Sequence, residues 1–520
     1  MFVRFLEKVQ FIDIGTFTTA TSWFNNCAHL QSVSFANGFG SSLTNTSSMF
    51  QNCNKLETVP LFNTAAVTNM NNMFQNNYLL SYVPDFNTAA VTNGMGSMFQ
   101  NCYNLVYAPN FDTANCNNFG NMFQNCYAMV SVPAYDLSNA SNGCANMFNT
   151  CRSLKSVPAL KLRTAGVYSA SAMFNDCRSM VSIAKLNWSS ANSMSTTFQN
   201  CFSLTSMPDM VLTSTTTLSN TFAGCQALRV MGNITVSSSC TNMVGTFNSC
   251  QSLETMGTIT GTTNVTSCNS AFANLYRLSV YPTLNLPLCT NVNGMFNGST
   301  AMITAPSITF GAAVTDASSM FLNCFALQTV PDYNITFGVN GNMAATFSGC
   351  PSLLTAPTWN TANVTTMSSL FSGCFSLRTV PTYNTTLVTS MSSIFSECQN
   401  LQSLQPFTTT AVTAFNTAFS GCRSLKYIDS WNFTGGTNLA SAFGTTSTTF
   451  CGSLARIIGT NNMKVSVSFR SAMLSGTELN EIYTGLATVT AQTITVTENW
   501  GTTTDTPSIA TAKGWTVTGT

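Results

Sequence analysis

Apolar and polar residues recur along this chain with one fixed beat. A phenylalanine returns at Phe24, Phe50, Phe74, Phe99, Phe123, Phe148, Phe174, Phe198, Phe222, Phe247, Phe272, Phe296, Phe321, Phe347, Phe371, Phe395, Phe419 and Phe443, always after 24, 25 or 26 residues. Around it the unit reads Met-Phe-x-x-Cys-x-x-Leu-x-x-Val-Pro-x-Phe-Asn-Thr-x-x-Val-Thr-x-Met, as across Met73 to Met98. So tight a period implies stacked coils of equal perimeter. Within each unit an apolar pair brackets a short segment, as in Leu56 to Val59 and Leu377 to Val380, and Pro60 or Pro381 follows it. Proline has no N–H to give a strand ladder, so it ends a short strand and turns the chain. The later Val-Thr-x-Met segment, as at Val364 to Met367, is expected to form the coil's second side.

The pattern therefore predicts a mostly β solenoid of about eighteen coils with a small α+β C-terminal cap. Parallel strands about 4.8 Å apart would make it a rod roughly 85 Å long. Residues 1–16 are assigned as an N-terminal cap, 17–451 as the solenoid and 452–520 as a C-terminal capping module. In that module Ser475 to Glu478 forms a capping-box pattern leading into Leu479, Ile482, Tyr483 and Leu486 on one helical face. Thr493 to Thr497 and Gly514 to Thr518 alternate as strands do.

Composition narrows the functions available. Only 7% of residues are charged, the net charge is +1 and there is one histidine, so no basic nucleic-acid footprint exists. Met1 to Gln10 carry Arg4, Glu7 and Lys8 and no apolar run follows, so a signal peptide is not expected. Nothing approaches the ~18 consecutive apolar residues of a membrane span, so no membrane insertion is expected.

Fourteen of the 20 cysteines stand three positions after the repeat phenylalanine. Others take apolar slots: Cys116, Cys240 and Cys289 replace the repeat valine, and Cys144 and Cys268 the repeat methionine. Cysteine is thus used as a small buried residue. Asn77 and Ser299 in the main cysteine slot point to a weakly polar interior spine, bonded to the backbone at each turn. Buried free thiols are expected. One histidine and no Cys-x-x-Cys pair leave no metal ligand set, and no cofactor is expected.

Two groups of side chains are candidates for binding. Tyr78, Tyr82, Tyr103, Tyr107 and Tyr127 occupy slots that are polar in other coils, such as Asn54, Thr58 and Gln399, and should face solvent. Tyrosines clustered there could stack on sugar rings or anchor a protein. Arg152, Lys155, Lys161, Arg163, Arg178 and Lys185 cluster in sequence against Asp176 alone, a surface suited to an anionic glycan or a neighbouring subunit. A second aromatic stripe, from Phe62, Phe86 and Phe111 to Trp359, Tyr383 and Trp431, shares its slot with Leu160, Leu186 and Ile308 and is read as core. Catalysis is not expected. His29 is the sole histidine, and Asp85, Asp112 and Asp136 recur at shifted offsets rather than as a carboxylate pair.

The repeat resembles the BspA-like (Treponema-type) leucine-rich repeat and its relative in mycoplasma surface lipoproteins, over roughly residues 14–451. Those proteins act in adhesion and protein interaction, and similar repeats occur in bacteriophage tail and fibre-like proteins. The resemblance implies a non-catalytic surface protein. Lacking a signal peptide or lipid-attachment cysteine, the chain is expected to be a phage virion component, a tail-fibre, receptor-binding or capsid-decoration protein, with a bacterial cell-surface adhesin as the alternative. Its expected partners are other virion proteins or a host receptor or glycan. Self-association is compatible with this, although no heptad stalk forces a trimer.

Overall fold

The computed structural model describes residues 6–10, 16–311, 313–444, 451–458 and 461–519. It is mostly β and winds through about 21 turns of solenoid. Internal contacts divide the chain into two compact units, Met1–Thr262 and Thr263–Thr520.

Each coil is held to the next by parallel pairing between equivalent slots. In the first unit Ser206–Met207, Val230–Met231 and Thr255–Met256 pair side by side, as do Met210–Leu212, Ile234–Val236 and Ile259–Thr260. In the second unit Ser403–Leu404, Tyr427–Asp429 and Arg456–Ile458 form a similar sheet. The Val-Thr-x-Met side is joined by short parallel strands, as where Val364–Thr366 pairs with Phe337–Asn342, and by single bridges, such as Thr366 to Ser390 and Ser390 to Ala414.

The segment around each phenylalanine is a run of tight turns, and its backbone alternates. Asn72, Phe74 and Asn76 donate their N–H groups to Gly96, Met98 and Gln100 of the next coil, while Met73 and Gln75 donate within their own coil to Met70 and Asn72. The alternation requires left-handed backbone two residues either side of the phenylalanine: Asn72 has φ 58° and Asn76 φ 64°. Asparagine and glycine tolerate that region best, which explains the recurring Asn, and Gly224, Gly349, Gly373 and Gly421 in the same slot. The asparagines also bond one another. Asn76, Asn101 and Asn125 each donate Nδ2 to the Oδ1 of Asn52, Asn76 and Asn101, at 2.6, 2.6 and 2.7 Å.

Inside, the repeat phenylalanines stack as a continuous column in each unit. Consecutive ring centroids from Phe24 to Phe247 lie 5.2 to 5.7 Å apart. From Phe272 to Phe443 they lie 5.3 to 6.3 Å apart. The second aromatic stripe is buried, and its tyrosine tips find partners: the hydroxyls of Tyr135, Tyr333 and Tyr383 donate to the carbonyls of Pro109, Pro306 and Pro357 one coil back, whereas the buried Trp359 Nε1 makes no hydrogen bond. The recurring Asn-Thr threonine does the same going forward, Thr64 Oγ1 donating to Asn87 O and Thr385 Oγ1 to Thr408 O, both at 2.8 Å.

All 20 cysteines are buried free thiols. Those of the main slot form the interior spine: Cys126, Cys151 and Cys177 donate S–H to the carbonyls of Phe99, Phe123 and Phe148, at 3.2, 3.1 and 3.1 Å. Ser299 makes the same bond to Phe272 O at 3.1 Å. Burial holds the Cys102, Cys126 and Cys151 thiols above their ordinary range.

At the N-terminal end Lys8–Gln10 pairs in parallel with Ser32–Ser34; residues 1–5 and 11–15 of the assigned cap lie outside the described residues. At the other end the helix Gly476–Gly485 starts at Ser475, with both halves of the capping box formed. Around it the winding continues instead of stopping at eighteen coils. Val467–Ser468 pairs in parallel with Gln492–Thr495, which pairs with Trp515–Thr518. Parallel pairing needs only a return to the same level, and the helix supplies that path without a repeat phenylalanine. No helix among the described residues is long and apolar enough to cross a membrane.

Candidate binding surface

The slot just after the cysteine turns outward, and in the first unit six successive coils fill it with flat groups. Tyr78 stacks on Tyr103 at 4.9 Å and Tyr103 on Tyr127 at 4.8 Å, each pair within 4° of parallel. The Arg152 guanidinium then lies 4.9 Å from the Tyr127 ring centre. Asp176 receives Arg152 at 3.1 Å and Arg178 at 2.7 Å, and Arg178 lies over the Phe202 ring at 5.5 Å. The coil spacing brings equivalent side chains to ring-stacking distance, so like groups in one slot must stack.

Stacking decides what the surface can do. The faces of Tyr103 and Tyr127 are covered by their neighbours in the ladder, so sugar rings cannot lie on them as the sequence suggests. A partner meets ring edges, phenol hydroxyls and guanidinium groups. Burial and the neighbouring phenols of Tyr127 and Tyr78 hold the Tyr103 hydroxyl above its ordinary range, so that hydroxyl keeps its proton and can donate. Tyr82 and Tyr107 stand four residues further along their coils, on the short-strand side, where Tyr82 bridges to Thr58 and Tyr107 to Ser131. They are the most exposed of the set, at 58% and 64%.

The basic residues do not form one patch. Arg152, Arg178 and the exposed Lys155 share the side that carries the tyrosines. Lys161 lies past the proline turn in the strand Lys161–Leu162 and is bound to Asp136 at 2.7 Å. Arg163 follows it, with a buried Nε that makes no hydrogen bond. Lys185 borders a separate shallow depression with Trp188 and Asp209. Asp176 is therefore not the sole opposing acid. Residues about 25 apart in sequence become neighbours across coils, so charge counted along the chain misses Asp136 beside Lys161.

The three recurring aspartates serve the backbone. Asp85 Oδ1 accepts from Asn110 N at 2.7 Å, Asp112 Oδ1 from Ala114 N at 3.1 Å and Asp136 Oδ1 from Ser138 N at 2.9 Å. Among the described residues no group of three His, Cys, Asp or Glu is placed to hold a metal ion. The second unit also exposes aromatic rings in the post-cysteine slot, at Tyr276, Phe325 and Phe375. Clustering along the chain does not flag them, because they alternate with Thr300 and Pro351; comparing one slot across all coils does.

The profile of a family described as "Mycoplasma protein of unknown function, DUF285" matches residues 18–133, 44–159, 108–211, 130–234, 216–353 and 341–455, well over half of the chain. No curated protein matches the sequence. Among solved structures, a leucine-rich repeat protein from Bacteroides ovatus is 15% identical, with 74% of this chain and 81% of that one covered and a TM-score of 0.35. A leucine-rich cell surface protein from Faecalibacterium prausnitzii is 15% identical over 77% of this chain and 88% of its own, with a TM-score of 0.25. A leucine-rich repeat protein from Eubacterium ventriosum is 15% identical over 53% and 78%, with a TM-score of 0.26.

Proposed function

The chain belongs to the DUF285 family, and from that premise we propose that it is a non-catalytic attachment protein, presenting the outward slots of its coils to another macromolecule. The observation that carries this is the ladder running from Tyr78 through Tyr127, Arg152 and Arg178 to Phe202. Tyrosine and arginine are the side chains that most often anchor protein interfaces, and here stacking already fixes their rotamers, so little entropy is lost on binding. Phenol and guanidinium donors along the ladder suit a partner rich in carbonyl or hydroxyl oxygens, a protein surface or the edge of a glycan.

We place this attachment role on a phage particle, as a tail-fibre, receptor-binding or capsid-decoration component. Support comes from the 20 buried free thiols, which suit assembly in a reducing cytoplasm. The mycoplasma membership of the family favours a second placement, as an adhesin on a bacterial surface. Density-gradient fractionation of the native source, with the chain located by mass spectrometry, tests both. Banding with particles supports the first, and recovery with cell envelopes the second. Recovery free in the cytosol, with binding unchanged in a chain carrying Tyr82→Ala, Tyr107→Ala and Arg152→Ala, would refute attachment through this face.

A further inference from the structure

The second unit carries a surface of different chemistry, laid out over five successive coils. Its post-cysteine slot reads Tyr276, Thr300, Phe325, Pro351, Phe375, and the slot three residues further on reads Ser279, Ile303, Gln328, Leu354, Arg378. The large apolar group thus changes slot from coil to coil: aromatic, aliphatic, aromatic, aliphatic, aromatic. Tyr276, Ile303, Phe325, Leu354 and Phe375, with Val280 beside them, are 43% to 76% exposed. The leucines and methionine between the two slots, among them Met302, Leu327 and Leu353, are fully buried, so the core needs none of the exposed set. Arg277 beside Tyr276 and Arg378 stand at the two ends of the row, and the three coils between them place no charged residue on it. Aromatic and aliphatic groups with charge excluded are the composition of an interface centre.

The arrangement of the row says what covers it. Rings stand at every second coil, about 9.6 Å apart, and the coils between them offer only Thr300 and Pro351 in that slot. Ridge and gap therefore alternate at one spacing. Such a row is complementary to an antiparallel copy of itself, as a two-fold interface requires. With the axis between the Phe325 and Pro351 coils, each Phe325 enters the other copy's Pro351 gap and each Phe375 the other's Thr300 gap. The six apolar side chains expose roughly 500 Å². With the threonines and glutamine of the same coils, that approaches the ~800 Å² per partner of a stable dimer.

We propose that this row is a homodimer interface, in which two copies of the chain pack antiparallel through their second units. The test is sedimentation of the full chain between 1 and 50 μM. The wild type is expected to run as a dimer. Phe325→Glu and Leu354→Glu should each weaken the dimer at least a hundredfold while leaving the circular-dichroism melt unchanged, and Tyr82→Glu in the first unit should leave it intact. A photo-crosslinking phenylalanine analogue at position 325 should join the peptide containing Pro351 of the second copy. A monomer at every concentration, a dimer indifferent to both glutamates, or a crosslink to another segment would each overturn the proposal.

Discussion

Truncating one ring of the phenylalanine column, Phe148→Ala, separates a stack of neighbour-coupled coils from a single cooperative core. Phe148 is fully buried and stacks on Phe123 at 5.7 Å and on Phe174 at 5.4 Å. Its backbone bonds survive the change, since its N–H still meets Met173 O and its carbonyl still receives Cys177. What is lost is buried ring area and two stacks, about 4 kcal/mol for a phenylalanine cut back to alanine in a packed core. At 1.4 kcal/mol per factor of ten, that is about a thousandfold in the local opening equilibrium. In a solenoid each coil touches only its neighbours, so the loss should stay between the Phe123 and Phe174 coils. Global denaturation is the wrong readout, because long repeat arrays do not unfold in two states. Native-state hydrogen exchange followed by mass spectrometry should show amides of the Phe123, Phe148 and Phe174 coils exchanging about a thousandfold faster. Amides around Phe50 should be unchanged. Uniform acceleration across the first unit, or less than a tenfold effect at Phe148 itself, would refute nearest-neighbour coupling.

Three further outcomes follow from the same contacts. Asn101, at φ 64° with ladder bonds of 2.6 and 2.7 Å to Asn76 and Asn125, should cost about 2 kcal/mol as alanine and less as glycine, measured by local exchange of that coil. Cys151→Ser should fall within about 1 kcal/mol of wild type, because Ser299 already makes the bond to the preceding phenylalanine carbonyl, whereas Cys151→Ala should cost about 1 to 2 kcal/mol; hydrogen exchange of the Cys151 coil ranks the pair. Burial pushes the Cys116 thiol up to about 11 and Cys144 up to about 12, from an ordinary 9.0. The folded chain keeps these protons after the unfolded chain has released them, so their stabilisation is complete below pH 9 and is lost as pH climbs through 11 and 12. The melting temperature should hold to pH 9 and fall above it, and a thiol reagent at pH 8 should find 20 groups only after denaturant is added.

The coil was legible in the sequence because stacking makes residues one period apart into contacts. A slot that holds Cys in one coil, Asn77 in another and Ser299 in a third reveals its chemistry by substitution, and the S–H to carbonyl spine is what that mixture implies. The second aromatic stripe declared itself buried in the same way, through the aliphatic residues that share its slot. Other features had no linear trace. The pairing of Lys161 with Asp136 lies across coils, so a count along the chain credits the basic cluster with more free charge than it has. The winding past Cys451 was hidden because a ten-residue helix, Gly476–Gly485, replaces the repeat's turn segment while the strands keep their register. Ring orientation was hidden too: slots predict that Tyr78, Tyr103 and Tyr127 are neighbours, but only the geometry shows their faces turned on one another.

That last point locates function in a repeat of this kind. Identical groups in one slot satisfy each other: asparagine bonds asparagine, threonine bonds the next backbone and ring stacks on ring. A uniform ladder therefore spends its recognition capacity on itself and contributes chiefly to stability. Capacity for a partner remains where adjoining coils differ. In the first unit that happens where tyrosine gives way to guanidinium between Tyr127 and Arg152, and one acid, Asp176, is shared by two arginines. In the second it happens where rings alternate with Thr300 and Pro351, so Phe325 and Phe375 have no aromatic neighbour in the adjoining coils of their own slot. Departures from the period, rather than the period itself, are where substitutions should change binding without changing the fold.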